Sequence, residues 1–184
     1  MSSKKHDGFA KDVLTEVLSP FGEARLEQYI PAEPQRADVH FRVGGRPDEA
    51  LEAYGVIPRM ATSNALFEAY RNPVTDDDII SCMSKLCRAH QEYLRDQRRK
   101  TPRNSGLERK VWVITPSCTD ERLEGFGFEP GAGWPAGFYF LAPRWHFGLV
   151  VVDRLPDVSA TLPLRAVGRG EVQARAFREL EALP

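Results

Sequence analysis

Hydrophobic positions along the chain fall into two periods, and their order sets the expected architecture. Between Gly8 and Leu18 the residues Phe9, Val13, Leu14, Val17 and Leu18 form one apolar stripe. With Asp7 as a cap and Ser19-Pro20 as a stop, this spacing predicts a helix. From Ala24 to Ile30 the pattern alternates, with Ala24, Leu26, Gln28 and Ile30 set against Arg25, Glu27 and Tyr29, and Pro31 closes a first strand. A clearer alternation follows, in which Ala37, Val39, Phe41 and Val43 share one face and Asp38, His40 and Arg42 the other, before Gly44-Gly45 turns the chain. Pro47 to Tyr54 reads as a short helix stopped by Gly55. Ala65 to Tyr70 reads as a third strand ended by Asn72-Pro73, with Glu68 in mid-run.

Thr75 and Asp78 form a capping box for a long helix running to about Arg99, with Ile79, Met83, Leu86, Cys87, His90 and Tyr93 on its stripe. His90 is thereby expected in the core. Val111 to Thr115 is short and nearly all apolar, the pattern of a strand buried on both faces. The last third holds a glycine-rich segment around Phe126 to Gly137, strand-like runs at Phe138 to Leu141 and Leu149 to Val152, and a final helix from Glu171 to Leu183. Phe41, Val39, Phe67, Val113, Ile114, Leu86 and Val13 are expected to pack in one cluster.

Composition narrows the function classes. A chain of 184 residues fits a single α/β domain over 1–184 with one core, and 42% hydrophobic residues are enough to fold it. Twenty-five basic residues against 26 acidic ones create no global field toward nucleic acid or membrane, so nucleic-acid binding would need a local patch. Arg95, Arg98, Arg99, Lys100, Arg103, Arg109 and Lys110 form the one dense basic cluster, either a phosphate-binding patch or a solvated helix end. Three cysteines without CxxC spacing argue against a disulfide framework or a zinc site and suit a reducing cytoplasm. No apolar leader opens the sequence, and no run approaches the ~20 apolar residues of a membrane span. No residue fixes the oligomeric state; a homodimer is compatible with the sequence.

The order helix, strand, strand, strand, helix, strand over residues 8–115 resembles the core of the PD-(D/E)XK nuclease superfamily, the restriction-endonuclease-like fold, leaving 116–184 as a strand and helix extension. The whole chain is also similar to a group of bacterial proteins well represented in cyanobacteria and distantly related to the Rpn transposase-like nucleases. The phrases that carry this likeness are Phe9-Ala10-Lys11, Leu18-Ser19-Pro20, Ala37-Asp38-Val39, Leu66-Phe67-Glu68 with Arg71-Asn72-Pro73, Trp112-Val113-Ile114-Thr115-Pro116 and Gly168-Arg169-Gly170. The resemblance implies a metal-dependent nuclease, with Asp38 on the second strand and Glu68 on the third as ligands of Mg²⁺ or Mn²⁺. It implies Glu16 on the first helix as a third acidic ligand.

The residues themselves fit that chemistry in part. Hydrolysing a phosphodiester needs a hard cation on carboxylate oxygens, and Asp38 and Glu68 are acidic residues inside otherwise apolar or β-prone runs. The plainer alternative places both on solvated strand faces and Glu16 on a helix rim. Tyr70 stands where the family has its lysine, and a phenol is a poor substitute for that cation. Arg71 alternates to the opposite strand face, and Lys85 lies about 120° from the stripe of the long helix at 100° per residue; these are the candidate replacements. A catalytically inactive interaction module with the same fold is the rival reading. His6, His40, His90 and His146 lack metal-ligand spacing, His40 shares Asp38's strand face, and Gly168-Arg169-Gly170 reads as a turn before the last helix.

Overall fold

The computed structural model describes residues 37–41, 54–98 and 109–182. The first predicted helix, the first predicted strand and most of Pro47 to Tyr54 fall outside them, as do Glu16 and Val13. The described chain is mixed α/β. Six strands, β1 (Val39–Phe41), β2 (Asn64–Ala69), β3 (Arg109–Thr115), β4 (Glu129–Pro130), β5 (Phe138–Phe140) and β6 (Phe147–Val151), form one sheet in the order β1-β2-β3-β6-β5-β4. The three central strands β2, β3 and β6 are parallel, and β1, β5 and β4 pair antiparallel outside them. Helices flank this sheet: α1 (Ile57–Met60), α2 (Asp76–Gln97), α3 (Asp120–Phe126), α4 (Leu162–Ala166) and α5 (Gly170–Glu181). Among the described residues no helix is long and apolar enough to cross a membrane.

Alternation along the parallel strands splits the core in two. Leu66, Val111, Val113, Leu149 and Val151 point to one face and pack with Ile79, Cys82, Leu86 and Ala89 of α2 and Leu123 of α3. Ala65, Trp112 and Val150 point to the other and pack with Met60, Phe138, Val152, Leu155 and Leu164. The expected single cluster is therefore corrected. Val113 and Leu86 are buried on the first face, whereas Phe41, Phe67 and Ile114 are half-buried against the second. Val39, expected inside, is 55% exposed and belongs to neither core cluster of the described residues.

The predicted capping box is formed. Thr75 Oγ1 accepts from the Asp78 N–H at 3.2 Å while Asp78 Oδ2 accepts from the Thr75 N–H at 2.8 Å, satisfying two first-turn donors. Below it the buried positions are Ile79, Cys82, Leu86 and Ala89, not the full expected stripe; Cys87 and His90 are exposed, which corrects the core reading of His90. The small side chains of Cys82 and Ala89 let α2 lie close on β2 and β3, so the helix settles on them.

Elements not foreseen cluster in the last third. Thr119 caps α3 by accepting from the Arg122 N–H, and Gly127 ends it in the left-handed region at φ 73°. Strand β6 packs Gly148 opposite Trp112, and no larger residue fits there, since an added Cβ would lie 2.4 Å from the indole. Helices α4 and α5 are joined by Arg165, whose side chain is fully enclosed and donates two bonds of 2.7 Å to the carboxylate of Glu179 and one of 3.0 Å to Asp157.

Candidate functional site

Glu68 is the only carboxylate among the described residues that is buried, at 3% exposure. It sits one residue before the end of β2, on the face covered by α2. From that helix Lys85 reaches across, and its Nζ donates to Glu68 Oε2 at 2.6 Å. The other oxygen, Oε1, is buried and has no hydrogen-bond partner. A carboxylate held out of water with one oxygen unanswered is costly.

Asp38 arrives from the neighbouring strand. Strand β1 pairs with β2 in the register Val39↔Phe67 and His40↔Leu66. One further step sets Asp38 across from Glu68. Asp38 lies in a bend just before β1, and its Oδ2 accepts from the Ala69 N–H at 2.9 Å. The chain thus brings three predicted residues, Asp38, Glu68 and Lys85, to one end of the β1–β2 pair. The acidic pair flanks a single peptide, Glu68-Ala69.

Lys85 was reachable only because α2 is rotated from its expected setting. With Ile79, Cys82, Leu86 and Ala89 as the buried line, Lys85 lies roughly 80° from its centre at 100° per residue. A four-carbon stem spans that angle, and Lys85 keeps a side chain 16% exposed with its ammonium on Glu68.

Tyr70, where the resemblance to PD-(D/E)XK nucleases leads one to expect a lysine, turns toward α2 instead. Its hydroxyl lies 3.3 Å from Cys82 Sγ. Burial, together with that contact, drives the phenol well above its usual range, so it stays neutral and acts as neither cation nor base. Cys82 is itself pushed up to about 11, mainly by burial. Arg71 is exposed past the end of β2, where with Arg169 it lines a cavity of about 200 Å³ beyond the carboxyl ends of β2, β3 and β6. Arg169 caps no first-turn N–H of α5 with its side chain and instead donates to Asn72 Oδ1 at 3.0 Å, so the Gly168-Arg169-Gly170 turn ties the last helix back to the end of β2.

Among the described residues no three His, Cys, Asp or Glu side chains come together to hold a metal ion. Asp38 and Glu68 supply two carboxylates, and Glu16 lies outside those residues. Of the basic cluster, Arg95 and Arg98 are exposed at the end of α2, while Lys110 is half-buried against Trp112 and Phe140 and does not join a solvated helix end. Arg99, Lys100 and Arg103 lie outside the described residues. No family model, no curated protein and no solved structure matches the chain.

Proposed function

We propose that the chain is a metal-dependent nuclease-like protein with a restriction-endonuclease-like core, acting on phosphodiester bonds of nucleic acid. The observation that carries this reading is the buried Glu68, answered on one oxygen by Lys85 and open on the other, beside Asp38 from the adjoining strand. A structural ion pair has no need of an orphaned oxygen. A cation would satisfy it.

The donors suit a hard divalent ion, since both are carboxylates and neither a thiol nor an imidazole belongs to the set. Mg²⁺ or Mn²⁺ held by Asp38 and Glu68, with Glu16 as a further carboxylate, would supply charge neutralisation and an acidified water. Lys85 contributes a fixed positive charge where negative charge develops on a phosphate, the part Tyr70 cannot play. The Ala69 N–H holds Asp38 Oδ2 and so fixes the aspartate relative to Glu68. Arg71 stands at the rim of the same strand end as a phosphate-facing cation.

A second reading, a catalytically inactive interaction module, is favoured by the fact that each carboxylate already has a protein partner. The two separate by experiment. Wild type, Asp38→Asn, Glu68→Gln and Lys85→Met are incubated with single- and double-stranded DNA and RNA in Mn²⁺ and Mg²⁺. The nuclease reading expects metal-dependent cleavage by wild type, lost by at least a hundredfold in each variant. Equal cleavage by wild type and Glu68→Gln, or no thermal shift of wild type in Mn²⁺, sinks it.

A further inference from the structure

Lys110 occupies the second position of β3, on the sheet face opposite Glu68 and at the other end of the strands. Its Nζ lies 4.1 Å from the ring centre of Trp112, 4.6 Å from Phe140 and 5.9 Å from Trp134. The three rings pack on one another, with centres 5.4–5.6 Å apart. Among the described residues no carboxylate and no hydrogen-bond acceptor answers this ammonium. A second cation stands close by instead: the Arg59 guanidinium lies 3.8 Å over Trp134, anchored by a 2.5 Å bond to the Gly133 carbonyl. Lys110, Trp134, Phe140, Glu129 and His146 line a cavity of about 480 Å³ open to solvent.

Lost water and the nearby Arg59 charge favour the free amine over the ammonium. Burial against the rings comes first and repulsion by Arg59 second, and together they bring Lys110 down to about 8. The ring faces attract a cation, and that attraction is set against the loss of water with no carboxylate partner among the described residues. A structural lysine near a strand end would extend its ammonium into solvent; this one turns its amine into a cavity lined by rings.

We propose that Lys110 is a carbonyl-reactive amine, and that the cavity above it takes a small aldehyde or ketone with an aromatic or apolar body. The Nζ lone pair attacks the carbonyl carbon, and the carbon–oxygen π pair moves to oxygen to give a carbinolamine. Loss of that oxygen as water, with both amine hydrogens, leaves a carbon–nitrogen double bond. No electrons are exchanged with an outside reagent. This site is independent of the nuclease reading, sharing neither residues nor sheet face with it.

The test uses the full chain with benzaldehyde titrated upward from one equivalent and cyanoborohydride to trap the imine, followed by peptide mass spectrometry. At pH 7.5 an ordinary lysine is free amine to roughly 0.1%, whereas a group titrating near 8 is so to about a quarter, a difference of about two hundredfold. Lys110 should therefore take at least ten times the label of Lys85 or any other lysine. Labelling should saturate with benzaldehyde and rise with pH through a midpoint near 8. Arg59→Gln should raise that midpoint and slow labelling at pH 7.5, a shift that mere exposure of Lys110 would not give. Lys110→Arg should lose the preferred label while its circular dichroism stays that of wild type. Label spread over the lysines in proportion to exposure, or a linear unsaturable dependence on benzaldehyde, overturns the proposal.

Discussion

Replacing Lys85 by methionine removes the only described partner of the Glu68 carboxylate. Methionine keeps the length and apolar stem of lysine, so packing against α2 changes little and the loss is electrostatic. Glu68 is 3% exposed and its Oε1 already lacks a partner, so the variant leaves both oxygens unanswered. Breaking a buried pair from one side costs about 3–5 kcal/mol. Because 16% of the Lys85 side chain meets solvent, water can enter on that side and the lower part of the range is expected. For a chain of this size that is a fall in Tm of roughly 6–12 °C. Glu68→Gln should cost less, about 1–2 kcal/mol, since the amide oxygen still accepts from Lys85 and no buried charge remains. The double variant should lose less than the sum of the singles by about 2 kcal/mol or more, the mark of a coupled pair. Urea titration followed by tryptophan fluorescence measures all three. Mn²⁺ should then stabilise Lys85→Met by about 2.7 kcal/mol at a hundredfold excess over its Kd, and wild type by less at the same concentration, because the competing ammonium is gone. A loss below about 1 kcal/mol in Lys85→Met, or strict additivity in the double variant, would refute the argument. Absence of the Mn²⁺ rescue alone would remove the metal and leave the ion pair.

Other consequences can be checked on the same protein. Gly148→Ala should destabilise by about 1–3 kcal/mol in urea, since the new Cβ would sit 2.4 Å from a Trp112 ring that Trp134, Phe138 and Phe140 keep in place. Lys110 has a folded value lowered to about 8, so between pH 8 and about 10.5 the unfolded chain holds a proton that the folded one has shed, and stability should rise with pH across that window. In Lys110→Met the rise should flatten, as read by urea midpoints from pH 7 to 10.5. Native protein at pH 7.5 should react with iodoacetamide at Cys87, which is exposed, and spare Cys82 and Cys118, which are buried with thiols pushed up by that burial.

Local periodicity made much of the sheet legible. The alternation through Phe41, the run from Ala65 to Tyr70 and the apolar stretch of β3 each correspond to a strand, because an inward-pointing residue every second position leaves its mark in sequence. The same reasoning puts Val39 inside, where alternation is satisfied but only Phe41 of β1 packs against a core cluster of the described residues. Pairing partners, and hence coverage, are non-local. The site shows a similar division. Asp38 and Glu68 stand out in the sequence as acids within apolar strands, yet Lys85 falls away from the stripe that the larger side chains of α2 define. The helix seats itself on Cys82 and Ala89, residues whose small size makes them weak signals in a hydrophobic pattern. The rings around Lys110 come from β3, β5 and the loop before β5, so only the folded sheet gathers them.

Arg165 sets how the end of the chain behaves. Its guanidinium is fully enclosed, and its bidentate partner Glu179 sits near the end of α5. A cut or stop codon anywhere in α5 before Glu179 would therefore remove more than a surface helix: it would leave an enclosed, permanently charged group in α4 with Asp157 as its one remaining carboxylate partner among the described residues. Acid does the same without cutting. The arginine holds the Glu179 carboxyl below the usual range, so its contribution is present at neutral pH and disappears as the pH falls through that lowered value. The last turn of α5 works as a latch whose catch lies in α4, and the order of events on acidification should run from the C-terminus inward.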